Sequence, residues 1–383
     1  MLKQPPMWKV PLFDTDLGDA ECAAAEDAIR SGWLTMGDRV RAFEESFAAF
    51  IGVRHAVAVS SCTAALHIAN RALGIGPGDE VICPSLTFVA SPNTIMLAGA
   101  RPVFADIAAF DDFGLSPEDV ERRVTPRTRA IHVLHYAGAP CGMDGIMAVA
   151  GRHGLRVIED CAHAPGASHE GRPVGTIGDF GCFSFFSNKN MTTGEGGMLT
   201  TGDEALAEKA RLMRSHGMTT LTLDRHLGRA HSYDVIEEGF NYRFDEMRAA
   251  IGLAQLDKLP EANSKRRDIF RFYRRRLATV PGLAVAYPED DTGCVHHIMP
   301  ALLPEDTDRD RFMDDMKARG VQTSIHYPPS HLFDLYRRRF GYGEGDLPVT
   351  EAAMEREITL PLYPAMTEED VDYVCGAAEA CLG

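Results

Sequence analysis

At 383 residues the chain is too long for one small core and suits a large domain joined to a smaller one. Apolar residues make up 45%, charged residues 25%, and the formal charge is -16. That balance fits a soluble protein and argues against nucleic acid or an anionic membrane as a general partner. No apolar run is long enough to cross a bilayer, and the opening Met1-Leu2-Lys3-Gln4-Pro5-Pro6 does not read as a signal peptide. The nine cysteines are odd in number, scattered and never in a CxxC pair. This argues against a disulfide framework or a metal site and for a reducing, cytoplasmic location.

In chain order, residues 16–31 read as an amphipathic helix, broken by a Gly-bounded loop carrying Trp33 and Thr35. A second helix spans 40–50. Residues 56–60 form a buried strand, followed at once by Ser61-Cys62-Thr63 opening a helix. Hydroxyls and free N–H groups at a helix start suit an anion, although the same residues serve as plain N-caps. Strand-like runs recur at 81–84, 102–105, 130–134 and 155–160, separated by helical stretches. This alternation indicates an α/β fold with a largely parallel sheet and helices on both faces, where ligands gather at the carboxyl ends of strands. Thr63, Phe88, His135, Asp160 and Ser184 all fall at or just past strand ends.

Residues 205–216 read as a charged helix, 217–238 as a long irregular segment, and 245–259 as another helix that ends before Pro260. The basic run 265–276 has interleaved aromatics and reads as a long helix with one solvated face. The domain boundary is placed at its start, dividing a large domain (1–264) from a small α+β domain (265–383).

The stretch 182–197 carries the chemistry. It is a short apolar strand, then Lys189 in a polar turn, then a glycine-rich reversal. No other Lys or Arg lies between Arg172 and Lys209. A lone turn lysine is more often a surface residue, but a partly desolvated amine is also what Schiff-base chemistry needs. An aldehyde cofactor on a pyridine ring requires such an amine and a carboxylate to keep the ring nitrogen protonated, for which Asp160 fits. It also requires a flat cover (Phe88), phosphate donors (the Cys62 and Thr63 amides and Ser184) and a polar group near the ring hydroxyl. His163, expected one helical turn past Asp160, suits that last role. Singly these residues have plainer uses; Asp160 can cap a helix, and His163 can be a satisfied core histidine.

The strings Ser-Cys-Thr-Ala-Ala-Leu, Val-Ile-Glu-Asp-Cys-Ala-His-Ala, Phe-Ser-Phe-Phe-Ser-Asn-Lys-Asn-Met-Thr-Thr-Gly-Glu-Gly-Gly and Gly-Phe-Asn-Tyr-Arg together resemble the DegT/DnrJ/EryC1/StrS aminotransferases. Pro-Ser-Leu-Thr-Phe-Val-Ala and His-Tyr-Ala-Gly extend the resemblance, which runs the length of the chain. It implies fold type I of the pyridoxal 5'-phosphate (PLP) enzymes, acting on nucleotide-linked keto sugars with L-glutamate as nitrogen donor. Lys189 would be the Schiff-base lysine and later the base, and Asp160 the partner of the pyridine nitrogen. Phe88 would lie against the ring, and Cys62, Thr63 and Ser184 would hold the phosphate. Two positions depart from the pattern: His163 stands where many members have glutamine, and Cys62 replaces the usual glycine. Asn241 matches a residue that reaches the partner subunit's phosphate, which implies a homodimer with shared sites. Trp33, Thr35 and His326 match positions facing the sugar, and Arg225 is a candidate diphosphate contact or, equally, part of a solvated loop. Lys189 separates the chain from the sugar 3-dehydratases of the superfamily, which carry histidine there. Two other readings stay open: amination of a ketocyclitol or other free ketone, and a PLP-binding regulatory protein without turnover. A Rossmann oxidoreductase is disfavoured, because no GxGxxG follows the strand at 56–60.

Overall fold

Short runs of small and β-branched apolar residues, buried on both faces, build the central sheet. The computed structural model describes residues 8–220, 222–287 and 293–383; the opening six residues read above lie outside that range. The sheet has seven strands, in the spatial order His55–Val59, Gly197–Thr201, Phe180–Ser184, Arg156–Asp160, Thr128–Leu134, Glu80–Pro84 and Arg101–Ala105. Six run the same way. Gly197–Thr201 is antiparallel to both of its neighbours, which brings its first residue opposite Val59 and Ser184. The reversal after Lys189 thus returns to the rim where the parallel strands end, and the fold is the expected α/β arrangement.

An aromatic cluster supports this rim from below. Phe183 packs edge-on to Phe47 at 5.0 Å, Phe185 lies 5.4 Å from Phe43, and Phe244 stacks on Phe43 at 6.0 Å. All five rings are buried, so the strand carrying Ser184 and the turn carrying Lys189 rest on close-packed aromatics.

The helix expected to end at residue 259 and the separate one expected over 265–276 are one helix, Glu246–Leu277, with Pro260 inside it. A helix usually stops before proline. Here its first half packs on the helices Asp19–Arg30 and Asp38–Ile51, and its second half puts Phe270, Tyr273 and Leu277 into another core. Packing at both ends offsets the lost backbone bond. The division expected between 264 and 265 falls within this helix. The second core surrounds a three-stranded antiparallel sheet, Ala284–Val285, Met299–Leu302 and Glu357–Leu360. The helices Arg309–Ala318 and Glu368–Leu382 contribute to it, as does Val10 from the start of the chain. The long irregular segment contains a short helix, Thr222–His226. Among the described residues no helix is long and apolar enough to cross a membrane.

Glu159 and Asp160, adjacent on one strand, point to opposite faces. Glu159 is fully buried. One carboxylate oxygen accepts from the N–H groups of Ile177 and Gly178 at 2.8 and 2.7 Å. The other accepts from Gly175 N–H at 2.8 Å and from His135 Nε2 at 3.0 Å. His135 Nδ1 accepts from Cys141 N–H, so in the neutral ring the proton sits on Nε2 and is donated to Glu159. Burial alone would raise this carboxyl; His135 and the Gly178 and Gly175 amides outweigh it and hold Glu159 below the usual range. The linked stability is present at neutral pH and disappears as pH falls through that depressed value. E159Q would turn an amide NH2 toward backbone N–H donors. The expected loss is about 3 kcal/mol of unfolding free energy, read from urea denaturation at pH 7; an unchanged midpoint would contradict this role for Glu159.

Candidate active site

A cavity of about 430 Å³ opens at the carboxyl rim of the sheet. Its lining brings together Cys62, Thr63, Phe88, Asp160, His163, Ser184, Lys189 and His326, eight residues read from the sequence as site candidates. The volume suits a cofactor-sized ligand.

One end of the cavity is built to take an anion. The helix Cys62–Ala72 begins there, with the Ser61 side chain accepting from Ala64 N–H at 3.1 Å. The Cys62 and Thr63 N–H groups lie in the first turn, where a helix has no internal acceptor for them. The first residue of the antiparallel strand lies directly against this turn: a Cβ on Gly197 would sit 2.5 Å from Ser61 C and 2.6 Å from Cys62 N. Ser184 Oγ, on the neighbouring strand end, accepts from Phe186 N–H at 3.3 Å and keeps its own proton for a ligand. Three donors thus converge where a phosphate would fit. Asn188, also in the lining, has a buried Oδ1 with no hydrogen-bond partner among the described residues.

Asp160 is buried, with Oδ1 accepting from Ala162 N–H at 3.1 Å and 3.9 Å from the Cys62 thiol. Among the described residues no protein donor reaches Oδ2, so that oxygen is available to a protonated ligand nitrogen. Burial pushes this carboxyl upward, against the pull of Ala162 N–H and the Lys189 charge. Cys62 is a buried thiol raised well above its ordinary range, so it acts as wall and not as nucleophile.

Burial lowers the Lys189 ammonium to about 8, against the opposing charge of Asp160. At pH 7 this leaves a larger share of free amine than an ordinary lysine would have. Its Nζ lies 3.5 Å from Nε2 of His297, a residue that sequence reasoning missed. The tautomer of His297 is set by a chain of amides. Asn263 donates to Pro165 O at 2.9 Å, and its Oδ1 accepts from Asn190 Nδ2 at 2.9 Å. Asn190 also donates to Val295 O, so its Oδ1 must accept the His297 Nδ1 proton at 3.0 Å. His297 therefore turns an unprotonated Nε2 toward Lys189. Burial and the Lys189 charge hold His297 well below its usual pKa, so it accepts a hydrogen bond without taking the charge. The sequence clue was the His296-His297 pair just ahead of the strand Met299–Leu302, but nothing local tied it to a turn more than a hundred residues away.

His163 lies in a turn and not on a helix, because the chain beyond Asp160 folds into successive turns. Its Nδ1 accepts from Ala137 N–H at 3.3 Å, so Nε2–H donates to the Tyr327 hydroxyl at 2.9 Å. Tyr327, also missed, lines the cavity, and Phe88 lies 5.8 Å from its ring. Phe88 itself is 56% exposed at the mouth.

Four candidates do not reach this cavity within the chain. Trp33 packs 4.8 Å from the His226 ring. Thr35 lines a separate hollow with Met218, Thr222 and Arg243. Arg225 lies over Tyr233 at 4.9 Å. Asn241 is exposed and bridges Ser215 through its backbone. Trp33 and Thr35 lie against the short helix Thr222–His226 that carries Arg225, and Asn241 follows the irregular segment. A further concavity, about 390 Å³, has its Arg214 paired with Glu44 and lacks a comparable set of groups.

Comparison with known proteins shows the family and the fold. Residues 15–379 match the model of the DegT/DnrJ/EryC1/StrS aminotransferase family. The chain is 42% identical to the spore coat polysaccharide biosynthesis protein SpsC of Bacillus subtilis over 366 residues, 94% of each protein. Among solved structures, Spr1654 of Streptococcus pneumoniae in its PLP form superposes with a TM-score of 0.90 at 28% identity, covering 97% of this chain and 98% of that one. DesI, solved in the presence of its TDP-sugar product, gives 0.87 at 36% identity, covering 99% of this chain and 94% of that one.

Acylation of Lys189 followed by peptide mass spectrometry should rise with a midpoint near pH 8. D160N should move the midpoint lower still, since it removes the negative charge that favours the ammonium. A midpoint near that of an exposed lysine would contradict this electrostatic description.

Proposed function

The chain belongs to the DegT/DnrJ/EryC1/StrS aminotransferase family and is a sugar aminotransferase; from that premise we propose that it uses pyridoxal 5'-phosphate to move nitrogen from L-glutamate to a keto group of a nucleotide-linked sugar. A 4-keto-6-deoxy or 3-keto sugar fits the family. The observation that carries the reading is a half-buried, easily deprotonated lysine sharing one cavity with a buried carboxylate and a helix N-terminus.

When bound, the cofactor supplies an aldehyde for condensation with amines and a cationic ring that absorbs negative charge from a carbon losing its proton. The protein's part is to hold it and to move protons. Ser184 Oγ and the Cys62 and Thr63 N–H groups take the phosphate. Asp160 Oδ2 keeps the ring nitrogen protonated, and Phe88 covers the ring. His163 and the Tyr327 hydroxyl it donates to form the polar pair for the ring hydroxyl. Lys189 Nζ, as free amine, is placed to take the α-proton of glutamate and would return it to the carbon that carries the cofactor's aldehyde, on the far side of the transferred nitrogen. His297 accepts from the same nitrogen and orients it for that transfer.

Asn241, Trp33, Thr35 and Arg225 enter this reading through a second copy of the chain. They lie apart from their own cavity; Val235 and Ile236 are exposed, and Phe88 and Phe186 are exposed in the cavity lining. A homodimer that covers these apolar residues would present Asn241 to the partner's phosphate and Arg225 to a substrate diphosphate.

Purified protein with added pyridoxal phosphate should be yellow, and glutamate should bleach it; dTDP-, UDP- and GDP-linked keto sugars and an inosose then serve as parallel acceptors. K189A should lose turnover altogether, and D160N should lower it by roughly 10³-fold. Persistent turnover in K189A would refute the assignment. N241A should lose cofactor on dialysis faster than wild type while keeping its fold, and equal retention would exclude the cross-subunit contact.

A further inference from the structure

The cavity lining contains a second chain of hydrogen bonds, apart from the one that ends at Lys189. His326 is half-buried and lines the cavity. Its segment is tied to the small antiparallel sheet by Thr359 N–H to Ser324 O at 2.8 Å and Ser324 N–H to Thr359 O at 3.2 Å. This puts His326 Nδ1 2.9 Å from Thr359 Oγ1, which lies 2.6 Å from Glu357 Oε1. The other carboxyl oxygen, Oε2, accepts from the His326 backbone N–H at 3.1 Å. His326 Nε2 has no protein partner among the described residues. A carboxyl, a hydroxyl and an imidazole thus run in line from the interior to the cavity.

We propose that Glu357, Thr359 and His326 form a proton relay in which the protonation state of Glu357 decides whether His326 offers an N–H or a lone pair to the bound keto substrate. The two states follow from hydrogen-bond polarity. With Glu357 ionised, Thr359 donates to Oε1, His326 Nδ1–H donates to Thr359, and Nε2 is bare. With Glu357 protonated, Oε1–H donates to Thr359, Thr359 donates to Nδ1, and Nε2 carries the proton. Passing from the second state to the first releases one proton into the cavity: Nε2 gives it up, Nδ1 takes the one from Thr359, and Thr359 takes the one from Glu357.

The surroundings place the switch in a useful range. Glu357 is fully buried, and burial raises its carboxyl to about 8, against the donors Thr359 and His326 N–H and the charge of Arg309. Arg309 directs Nη1 at the carbonyls of Met354 and Glu357 and not at the carboxylate. The Tyr136 hydroxyl, which donates to His326 O, also faces Glu357, with Tyr327 beyond it. Burial and the Lys189 charge lower His326 to about 4, so its ring stays neutral and only its tautomer changes. The catalytic use of the relay rests on the reading of the pocket as a keto-sugar site. Replacing the keto oxygen by nitrogen expels that oxygen as water: Nε2–H supplies one of its two protons and the attacking amine the other, and the second proton that the amine sheds passes back to Nε2 and resets the relay.

The test is 15N NMR of histidine-labelled full-length protein with pyridoxal phosphate added, with His326 assigned by difference against H326N. Between pH 6.5 and 9.5 the protonated nitrogen of His326 should change from Nε2 to Nδ1. E357Q, whose amide donates permanently to Thr359, should keep the proton on Nε2 throughout. T359V should abolish the pH dependence, and T359S should restore it. One tautomer across the whole range in wild type, or a wild-type switch in both E357Q and T359V, would overturn the relay. If the tautomer switches as described but no keto sugar is aminated, the relay stands and the substrate reading falls.

Discussion

Two neighbouring carboxylates on one strand hold the site in place. Successive side chains of a strand alternate between faces, so Glu159 and Asp160 cannot share an environment. Glu159 faces the backbone of residues 175–178 and is saturated by four donors. Asp160 faces the cavity with one oxygen unclaimed. The saturation of the first residue is what makes the second rigid: the strand cannot twist to exchange them without exposing four buried donors. A carboxylate that must meet a ligand cation in one orientation is thereby held on a strand and not on a loop.

Across the cavity, Lys189 is held the opposite way. It sits in a turn, which is ordinarily mobile, but this turn lies over five packed aromatic rings and closes on Gly194 and Gly196. Gly194 takes a left-handed backbone conformation, and a Cβ on Gly196 would strike Thr193 and Phe244. The amide chain through Asn263, Asn190 and His297 then points a lone pair at the amine. Burial favours loss of the ammonium proton and the Asp160 charge opposes it. The balance leaves a nitrogen that is both nucleophile and base near neutral pH. The histidines around the cavity, His163, His297 and His326, are all neutral by burial, so each acts through its tautomer, which partners on other elements set.

Much of this was legible in the residues. The strand–helix alternation, the lysine turn, the Glu-Asp pair and the Ser-Cys-Thr helix start are local patterns, and seven residues read from strand ends and turns meet in one cavity, joined by His326, which only the family resemblance supplied. The helix Glu246–Leu277 was not legible as one piece, because Pro260 is a local stop signal overridden by two separate cores. Nor was His163 in a turn, since helix and turn sequences of that length look alike.

The chain's order of apolar runs and punctuating polar residues by itself determined the sheet, its rim and the chemistry presented there, because those depend on short-range periodicity and on residue type. Tertiary structure alone decided which nitrogen of each histidine carries its proton, that His297 and Tyr327 join the site, and that Trp33, Thr35, Arg225 and Asn241 lie outside their own cavity. Those outcomes depend on hydrogen bonds between segments far apart in the chain, whose partners have no signature until the backbone brings them within 3 Å.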